Sequence, residues 1–327
     1  MSTFKEMLQA SFKSNDTEEW LDVHFTRPIG LVFALFWNKL GVHPNAITIL
    51  SIFLGVAAAV MFVSTDLWPN VLGVVLLMLA NFCDSTDGQM ARLTGKKTLI
   101  GRMLDGFSGD VWFFCIYFAF CLRLMPQLIP GTDMRWGFWI WLLAIIAGVL
   151  CHSPQSSLSD YYRNIHLFFL KGKEGSELDN YAQQRQTYEE MKQKGDLMGQ
   201  LFFYNYANYC KSQERRTPEF QKFFAAWQQM DAQETNAALD GQQPDGMTQK
   251  ESVRQEFLEG SRPLMKYTNI LTFNVRAICI YITALLNCPW VYLLFEIILL
   301  TVLYVYMHNA HEKLSKRLCL KITQQPS

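Results

Sequence analysis

The sequence has no excess of charge of either sign, which argues against a nucleic-acid partner. Its 29 Lys and Arg residues balance 29 Asp and Glu residues, so the formal net charge at pH 7 is zero. Proteins that bind the phosphate backbone of a nucleic acid usually present a strongly basic surface. We therefore expect no nucleic acid among the partners of this chain.

The chain also lacks paired cysteines and a signal-peptide pattern. Its eight Cys residues are scattered, none forms a Cys-x-x-Cys pair, and most lie in apolar runs. This distribution favours buried free thiols over disulfides or a zinc site. The first 20 residues are polar and mixed in charge, so we expect no cleavable signal peptide there.

The sequence does contain several long apolar runs, which alternate with one long polar block. The average composition hides this segregation, because 50% apolar residues is close to the usual globular balance. Runs of this length cross a bilayer as helices. We therefore predict an all-α, polytopic membrane protein in an inner or cell membrane, with a bundle of six transmembrane helices at 46–63, 71 to about 89, 99 to about 122, 136 to about 151, 269–286 and 290–308.

Outside these spans, an N-terminal segment and a polar insert complete the predicted organisation. Residues 1–42 form a soluble lead-in and an apolar helix over 24–40, which is too short to span comfortably and is expected to lie in the membrane interface. A further membrane span is the alternative for that helix. Residues 43–155 hold the first four spans, and residues 264–327 hold the last two and a basic tail.

The polar block at residues 156–263 is predicted to be a helical, cytoplasmic insert. Helices are expected over 179–194 and 218–232, and loop or disorder over 236–249. The block contains no catalytic motif and no internal repeat that we recognise. It is either a helical decoration or a lid or partner platform over the active site.

Basic residues predict the orientation of the spans. The turns at 64–70 and 287–289 contain no Lys or Arg, whereas two other connections are rich in them: the loop with Arg92, Lys96, Lys97 and Arg102, and the tail with Lys313, Lys316, Arg317 and Lys321. Both termini are then cytoplasmic, and so is the segment that carries the acidic motif described next.

Four aspartates lie between two apolar runs, namely Asp84, Asp87, Asp105 and Asp110. Each carboxylate near the middle of a membrane helix costs about 3 kcal/mol on insertion scales. The few nearby cations are too few to pair with every carboxylate. A bound divalent metal ion is the natural counter-charge.

The spacing of these residues predicts a common site. At about 100° per residue, Asp84, Asp87, Gly88 and Ala91 fall within an arc of roughly 100° on one helix, and Arg92 lies beside that arc, where it can meet a phosphate. On the next helix Gly101 and Asp105 share a face. Aspartates from the two helices can therefore converge on one metal site that also holds a diphosphate.

The pattern Asp84-x-x-Asp87-Gly88-x-x-Ala91-Arg92, followed after eight residues by Gly101-x-x-x-Asp105, resembles the signature of the CDP-alcohol phosphatidyltransferase family. Members are membrane enzymes that move a phospho-group from a CDP-linked donor to an alcohol and release CMP. The resemblance implies Mg²⁺ or Mn²⁺, as a pair of ions, bound by Asp84, Asp87 and Asp105. It also implies that Gly88, Ala91 and Arg92 hold the cytidine diphosphate.

The sequence departs from this signature at its last position. The family motif ends in an aspartate at the position of Gly109, whereas here the aspartate follows one residue later, as Asp110. On a straight helix Asp110 points about 140° away from Asp105, and a π-bulge beside Gly106 and Gly109 would return it to the shared face. We hypothesise that Asp110 acts as general base and metal ligand. The alternative is that Asp110 is a helix-end residue and that another group is the base.

Other polar residues in the spans leave alternatives open. Arg276 lies inside the fifth predicted span, where it either binds a phosphate of lipid or acceptor or pairs with Glu296 or a motif aspartate. For His152 an acid–base role is the less favoured interpretation, and Glu296 is expected to stabilise the bundle rather than to catalyse.

The expected partners are a CDP-linked donor, an alcohol or lipid acceptor, membrane lipids and, as an option, a second copy of the chain. The insert and the displaced aspartate loosely resemble bacterial members that make inositol phosphorylceramide-type sphingolipids. The alternative function is that of a catalytically inactive relative that binds lipid or nucleotide as a scaffold. A transporter is disfavoured, because the sequence shows no inverted halves and no pair of broken helices.

Overall fold

The fold is helical throughout the part of the chain that the structure, a computed structural model, describes: residues 4–12, 14, 16–96, 99–239 and 248–324. Within those residues there is no β-strand, only an isolated bridge between Leu128 and Arg135. The predicted all-α class is confirmed. The α-helices are α1 (Phe4–Ser11), α2 (Arg27–Lys39), α3 (Pro44–Phe62), α4 (Leu67–Thr94), α5 (Leu99–Leu124), α6 (Trp139–Ile145), α7 (Ser153–Lys171), α8 (Tyr181–Lys194), α9 (Leu197–Arg216), α10 (Pro218–Leu239), α11 (Gln249–Ser261), α12 (Met265–Ile270), α13 (Phe273–Leu285), α14 (Trp290–Leu294) and α15 (Thr301–Gln324).

Short segments with other helical hydrogen bonding join several of these helices. π-helical turns cover Asp22–Thr26, Ile146–His152 and Phe295–Leu300, and 3₁₀ turns cover Lys173–Gly175 and Arg262–Leu264. The second and third π segments continue α6 and α14 directly into the next α-helix. No local pattern of residues predicts these turns.

Six helical stretches in the described residues are long and apolar enough to cross a membrane, which confirms the predicted number and an integral membrane protein. The second stretch and the last three are longer than predicted, because these helices continue beyond the apolar runs. The stretches are Pro44–Phe62, Leu67–Thr94, Leu104–Leu124, Trp139–Lys171, Gln249–Leu285 and Trp290–Gln324.

The chain forms two compact units, which are described separately. The first comprises residues 1–155 and 271–301, and the second comprises residues 156–270 and 302–327. The predicted boundary at residue 42 separates α2 from α3, which lie within the same unit.

The apolar core of the first unit holds α3, α4 and α5 together. Phe62, Leu77, Trp112 and Phe120 are all buried in it. Gly55 faces the ring of Trp112, where a Cβ would collide with the indole. Small residues of this kind allow membrane helices to approach closely, and the approach brings the acidic ends of α4 and α5 side by side.

Arg123, near the end of α5, ties together helix ends in the same unit. Its buried guanidinium donates to the carbonyl oxygens of Phe62 and Ala284, and to the side-chain oxygens of Asn70 and Asn287. A cation is favourable beside the carbonyl ends of helices. Arg123 therefore fixes the C-terminal end of α5, whereas Asp105 lies near its N-terminal end.

Helix α2 is apolar on its exposed face as well as on its buried face. Leu31 and Ala34 are buried on one face, whereas Phe33 and Phe36 are exposed on another. At about 1.5 Å per residue its 13 residues reach about 20 Å, less than the hydrocarbon thickness of about 30 Å. The helix is not one of the six stretches, and its position in the membrane interface remains a prediction.

The second unit confirms both helices that were predicted in the polar block, as α8 and α10. Its core is aromatic and contains Phe169, Phe223, Trp227 and Phe257. The expectation of loop or disorder over 236–249 is wrong at both ends, because α10 runs to Leu239 and α11 begins at Gln249. Residues 240–247 lie outside the described residues.

Candidate active site

Three of the four motif aspartates meet between α4 and α5. One carboxylate oxygen from each of Asp84, Asp87 and Asp105 lies within 4.8 Å of the other two. Asp87 is buried, Asp84 is half-buried and Asp105 is exposed, so the group opens to the surface on one side. This carboxylate cluster, as we call these three residues, is the arrangement that the helical spacing predicted.

Two buried hydroxyl groups hold carboxylates of the cluster in place. Ser108 Oγ lies 2.9 Å from Asp84 Oδ1, and Thr48 Oγ1 donates a hydrogen bond to Asp87 Oδ2. Neither residue was predicted from the sequence. Ser108 was detectable, since it lies one helical turn after Asp105, but Thr48 is on α3 and reaches the cluster only through tertiary packing.

Helix α2 packs against the face of α4 that carries Thr86 and Gln89, roughly opposite the face that carries Asp84 and Asp87. Gln89 Nε2 donates to the carbonyl of Arg27 (3.1 Å), and Thr86 Oγ1 donates to the carbonyl of Gly30 (3.3 Å). Gly30 permits this approach, because a Cβ there would come within 2.7 Å of Gln89 Nε2. These contacts fix the start of α2 on α4, on the far side of the helix from the two carboxylates.

Arg27, at the start of α2, is a cation that the sequence motif does not include. Its Nε and Nη2 atoms contact Glu18 Oε2 and Oε1 at 3.2 and 3.3 Å. Its charge also acts favourably on the Asp84 carboxylate. Glu18 therefore orients a guanidinium whose charge reaches Asp84.

The guanidinium of Arg92 lies across Gly88. Its Nη1 atom is 3.4 Å from the position that a Cβ on Gly88 would take. Ala91 and Arg92 are both half-buried. Two residues with little or no side chain and a guanidinium therefore border the carboxylates, an arrangement that suits a diphosphate.

Asp110 is not part of the carboxylate cluster. Helix α5 is a regular α-helix from Leu99 to Leu124, so the expected π-bulge between Asp105 and Asp110 is wrong. Glycines permit such a bulge but do not impose it, and the regular helix keeps every backbone hydrogen bond. Asp110 is exposed, and no neighbouring element comes within 4 Å of where a Cβ on Gly109 would be.

Arg276 is occupied by a buried ion pair in the first unit. Its Nε lies 3.1 Å from Glu296 Oε1, Nη2 donates to Gln155 Oε1 (2.9 Å), and Nη1 donates to the carbonyls of Leu271 and Thr272. The side chain is 1% exposed. The structure thus favours the structural alternative for Arg276 over phosphate binding, since its donors already have partners.

His152 belongs to the same buried group. Its Nδ1 lies 3.5 Å from Glu296 Oε1, and its ring contacts Phe113 at 4.2 Å between centroids. These contacts agree with a stabilising role for Glu296 in the bundle, which leaves the carboxylate cluster as the candidate for chemistry.

Comparison with protein families identifies the segment that contains the cluster. A family model described as CDP-alcohol phosphatidyltransferase matches residues 41–153. The chain carries a CDP-alcohol phosphatidyltransferase domain. This family is a phosphotransferase family, so the protein is an enzyme of that class. A search of curated proteins found no match.

The CDP-alcohol phosphatidyltransferase domain spans α3 to α6 and the π-helical segment after α6, and therefore includes the carboxylate cluster with Thr48 and Ser108. The match does not extend to the second unit. The family implies transfer from a CDP-alcohol donor to an alcohol acceptor, and it generally depends on a divalent metal. Three carboxylates in close proximity form an all-oxygen donor set that fits a hard divalent cation.

Proposed function

We propose that the protein transfers a phospho-substituted group from a CDP-linked donor to an alcohol, with release of CMP, in a reaction that requires Mg²⁺ or Mn²⁺ at the carboxylate cluster. The observation that carries the proposal is the meeting of Asp84, Asp87 and Asp105 within 4.8 Å, from two helices of the family domain. The product is a phospholipid or phosphosphingolipid head group.

Electrostatics supports a metal at this cluster. Two unit charges 4.8 Å apart repel by about 3 kcal/mol at an effective dielectric constant of about 20. Three ionised carboxylates would therefore repel by roughly 10 kcal/mol in total, which is comparable to the stability of a whole domain. Divalent cations remove that repulsion, and Arg27 and Arg92 add positive charge nearby.

Each residue of the site then has a distinct role. Asp84, Asp87 and Asp105 would hold the metal, and Thr48 and Ser108 keep the oxygens of two of them oriented, as hydrogen bonds to ligands commonly do. When bound, a metal pair neutralises charge on the bridging oxygens of the diphosphate and lowers the pKa of the acceptor hydroxyl.

The donor diphosphate is proposed to lie over Gly88, Ala91 and Arg92. Gly88 and Ala91 leave room for phosphate oxygens near the helix backbone. Arg92 supplies N–H donors and a positive charge, which strengthens hydrogen bonds to phosphate. Displacement of its guanidinium from above Gly88 would open that space.

Asp110 remains our proposed general base and additional metal ligand, and this role requires a local change in α5. A Cβ on Gly106 or Gly109 would meet no neighbouring element within 4 Å, so neither glycine is packed against another helix. The regular helix instead favours the alternative, in which a different group accepts the proton. The position of Asp110 outside the cluster also favours the second candidate function, a catalytically inactive scaffold.

The site is proposed to face the cytoplasm, where soluble CDP-linked donors occur. The basic residues after α4 and in the C-terminal tail support this orientation. Reporter fusions in the connection between α4 and α5 test it, and a reporter outside the cell would contradict it. We further propose an inositol phosphorylceramide-type product, which lipid analysis of a host that expresses this chain would test. We also propose a homodimer, which a mass measurement of the protein in detergent would test.

The direct test of the function is CMP release from purified protein in lipid. CDP-diacylglycerol, CDP-choline and CDP-ethanolamine are supplied with and without Mg²⁺, together with candidate alcohols. We expect metal-dependent release from one donor, loss of release in Asp84→Asn, and none in the absence of metal. Asp133→Asn is the matched control, since Asp133 is exposed in the α5–α6 connection.

Absence of CMP from every donor would contradict the proposed transfer. Retained binding of CMP or of lipid by the same preparation would then favour the scaffold.

A further inference from the structure

Residues 16–26, which we call the N-terminal strap, are fastened to the first turn of α13 in the first unit. Glu19 accepts hydrogen bonds from the hydroxyl of Thr272 and from Asn274 Nδ2, the latter at 2.9 Å. Asn274 Nδ2 also donates to Asp22 Oδ1 at 3.0 Å. One buried asparagine therefore connects two carboxylates of the strap to a helix that lies 252 residues further along the chain than Asp22.

The first turn of α13 gives up an ordinary cap to make these contacts. Thr272 is the N-cap residue of α13, a position where a threonine normally accepts an N–H of its own helix. Its side chain makes no such cap hydrogen bond and instead donates to Glu19. The carboxylates of the strap also lie at the helix end where negative charge is favoured. The strap therefore takes over the role of the cap.

The residue next to Glu19 in the strap holds Arg27. Glu18 Oε2 and Oε1 lie 3.2 and 3.3 Å from Nε and Nη2 of Arg27, and the Glu18 side chain is only 4% exposed. The charge of Arg27 acts favourably on the Asp84 carboxylate. Of two adjacent carboxylates in the strap, one is thus held by α13 and the other holds a cation near the cluster.

The backbone at Arg27 has a support of its own, so the strap acts mainly on the guanidinium. Gln89 Nε2 on α4 donates to the carbonyl of Arg27 at 3.1 Å. Release of the strap from α13 therefore changes the position of the Glu18 carboxylate rather than the position of α2. An ion pair whose members must be ordered as it forms is weaker than one that is already held in place.

We propose that Asn274 is a positioning residue that restrains donor binding through the strap. By holding Glu19 and Asp22, it keeps the Glu18 carboxylate on Arg27. A guanidinium that is paired with a carboxylate has fewer N–H donors and less net charge to offer a diphosphate. The strap and α13 both lie outside the matched residues 41–153, so this restraint is not part of the family match. The inference rests on the proposed function, because the restrained step is binding of the CDP-linked donor.

The first test is hydrogen exchange of the full chain in lipid, without substrate. Asn274→Asp keeps the shape of the side chain but places a third carboxylate against Glu19 and Asp22, so the contact becomes repulsive. Loss of hydrogen bonds to charged groups should make the amides of the strap exchange at least about tenfold faster. Asn309→Asp, at an exposed position of α15, is the matched control and should exchange like the wild type. This measurement needs no activity.

The donor KM distinguishes positioning from a merely structural role. Asn274→Asp should lower the donor KM several-fold with little change in kcat, because the guanidinium of Arg27 becomes available to the donor. Simple loss of structure would instead raise the KM or lower the kcat. Glu18→Gln should lower the KM by a similar factor. The combination of the two substitutions should lower it no further, because both release the same guanidinium.

A reversal of the hydrogen bonds provides the rescue. Asn274→Asp combined with Glu19→Gln and Asp22→Asn places the carboxylate on α13 and the amide donors on the strap. This triple variant should restore slow exchange of the strap and a donor KM close to that of the wild type.

Other outcomes would overturn the inference. Unchanged exchange of the strap in Asn274→Asp would show that Asn274 does not hold it. Faster exchange with an unchanged or raised donor KM, or a triple variant without rescue, would show that the strap does not act on donor binding. If the wild type and all variants release no CMP, the proposed function fails. The Kd for the CDP-linked donor, measured by calorimetry, then replaces the KM and must show the same order of variants.

Discussion

Thr48→Val should weaken metal binding, because it removes the hydroxyl that donates to Asp87 without changing the shape of the side chain. Thr48 is buried on α3, and its hydroxyl also lies 3.4 Å from the carbonyl of Pro44. A hydrogen bond to a charged group contributes about 1.5–3 kcal/mol, which corresponds to roughly 10–150-fold in an equilibrium constant. Loss of a hydrogen bond to a metal ligand typically costs about 10–100-fold in metal affinity.

We therefore expect the Kd for Mn²⁺ to rise about 10–100-fold in Thr48→Val, as measured by electron paramagnetic resonance of free Mn²⁺. CMP release should fall at low metal concentration and recover at high concentration, because the metal ligands themselves remain. Separate binding and activity measurements distinguish loss of metal from loss of fold.

Thr283→Val is a closely matched control. Thr283 is also a buried threonine whose hydroxyl donates to the carbonyl one turn earlier, that of Cys279 at 2.7 Å, but it contacts no carboxylate among the described residues. Its substitution should leave the Kd for Mn²⁺ close to the wild-type value, because the lost hydrogen bond is not to a metal ligand. Equal effects of the two substitutions, or no effect of Thr48→Val, would refute the role that we assign to this hydroxyl.

Three further substitutions test other parts of the site. Arg276→Met should destabilise the protein by about 3–5 kcal/mol, since it leaves Glu296 buried and unpaired. Addition of Glu296→Leu should restore much of the melting temperature. A raised donor KM without destabilisation would contradict the structural role of Arg276. Arg27→Gln should raise the donor KM, because it removes a guanidinium near the cluster. Glu18→Gln should lower the donor KM, because it releases that guanidinium from its ion pair. If steady-state kinetics gave changes of the same sign, the ion pair rather than the charge of Arg27 would determine the donor KM. Asp110→Asn should abolish CMP release if Asp110 is the base, and turnover near that of the wild type would reject that role.

Much of the site could be predicted from local spacing. Asp84, Asp87 and Gly88 fall on one face of any α-helix, and the long apolar runs on both sides strongly favour helices there. Asp105 had to come from the neighbouring helix, because the connection between the two apolar runs is short. The convergence of the carboxylates therefore follows from helical geometry and the length of that connection.

Features that depend on tertiary packing could not be predicted. Thr48 lies 39 residues from Asp87, and only the packing of α3 on α4 brings the two together. The position of Arg27 depends on Gly30, whose missing side chain lets α2 approach Gln89. No periodicity in either segment indicates such contacts.

Two features could not be predicted correctly from local sequence: the helical geometry near Asp110 and the role of Arg276. Glycines near Asp110 suggested a π-bulge, but the regular hydrogen bonding of α5 prevailed, while π turns formed instead at Ile146–His152 and Phe295–Leu300. Arg276 had two alternatives, and the choice depended on whether Glu296 would face it across the bundle.

The central claim is that α4 and α5 share one metal site, and Mn²⁺ binding to Asp105→Asn tests it most directly. Asp105 is the contribution of α5, so its substitution should weaken Mn²⁺ binding by at least about 100-fold, whereas Asp133→Asn should bind like the wild type. Wild-type affinity for Mn²⁺ in folded Asp105→Asn would contradict the shared site.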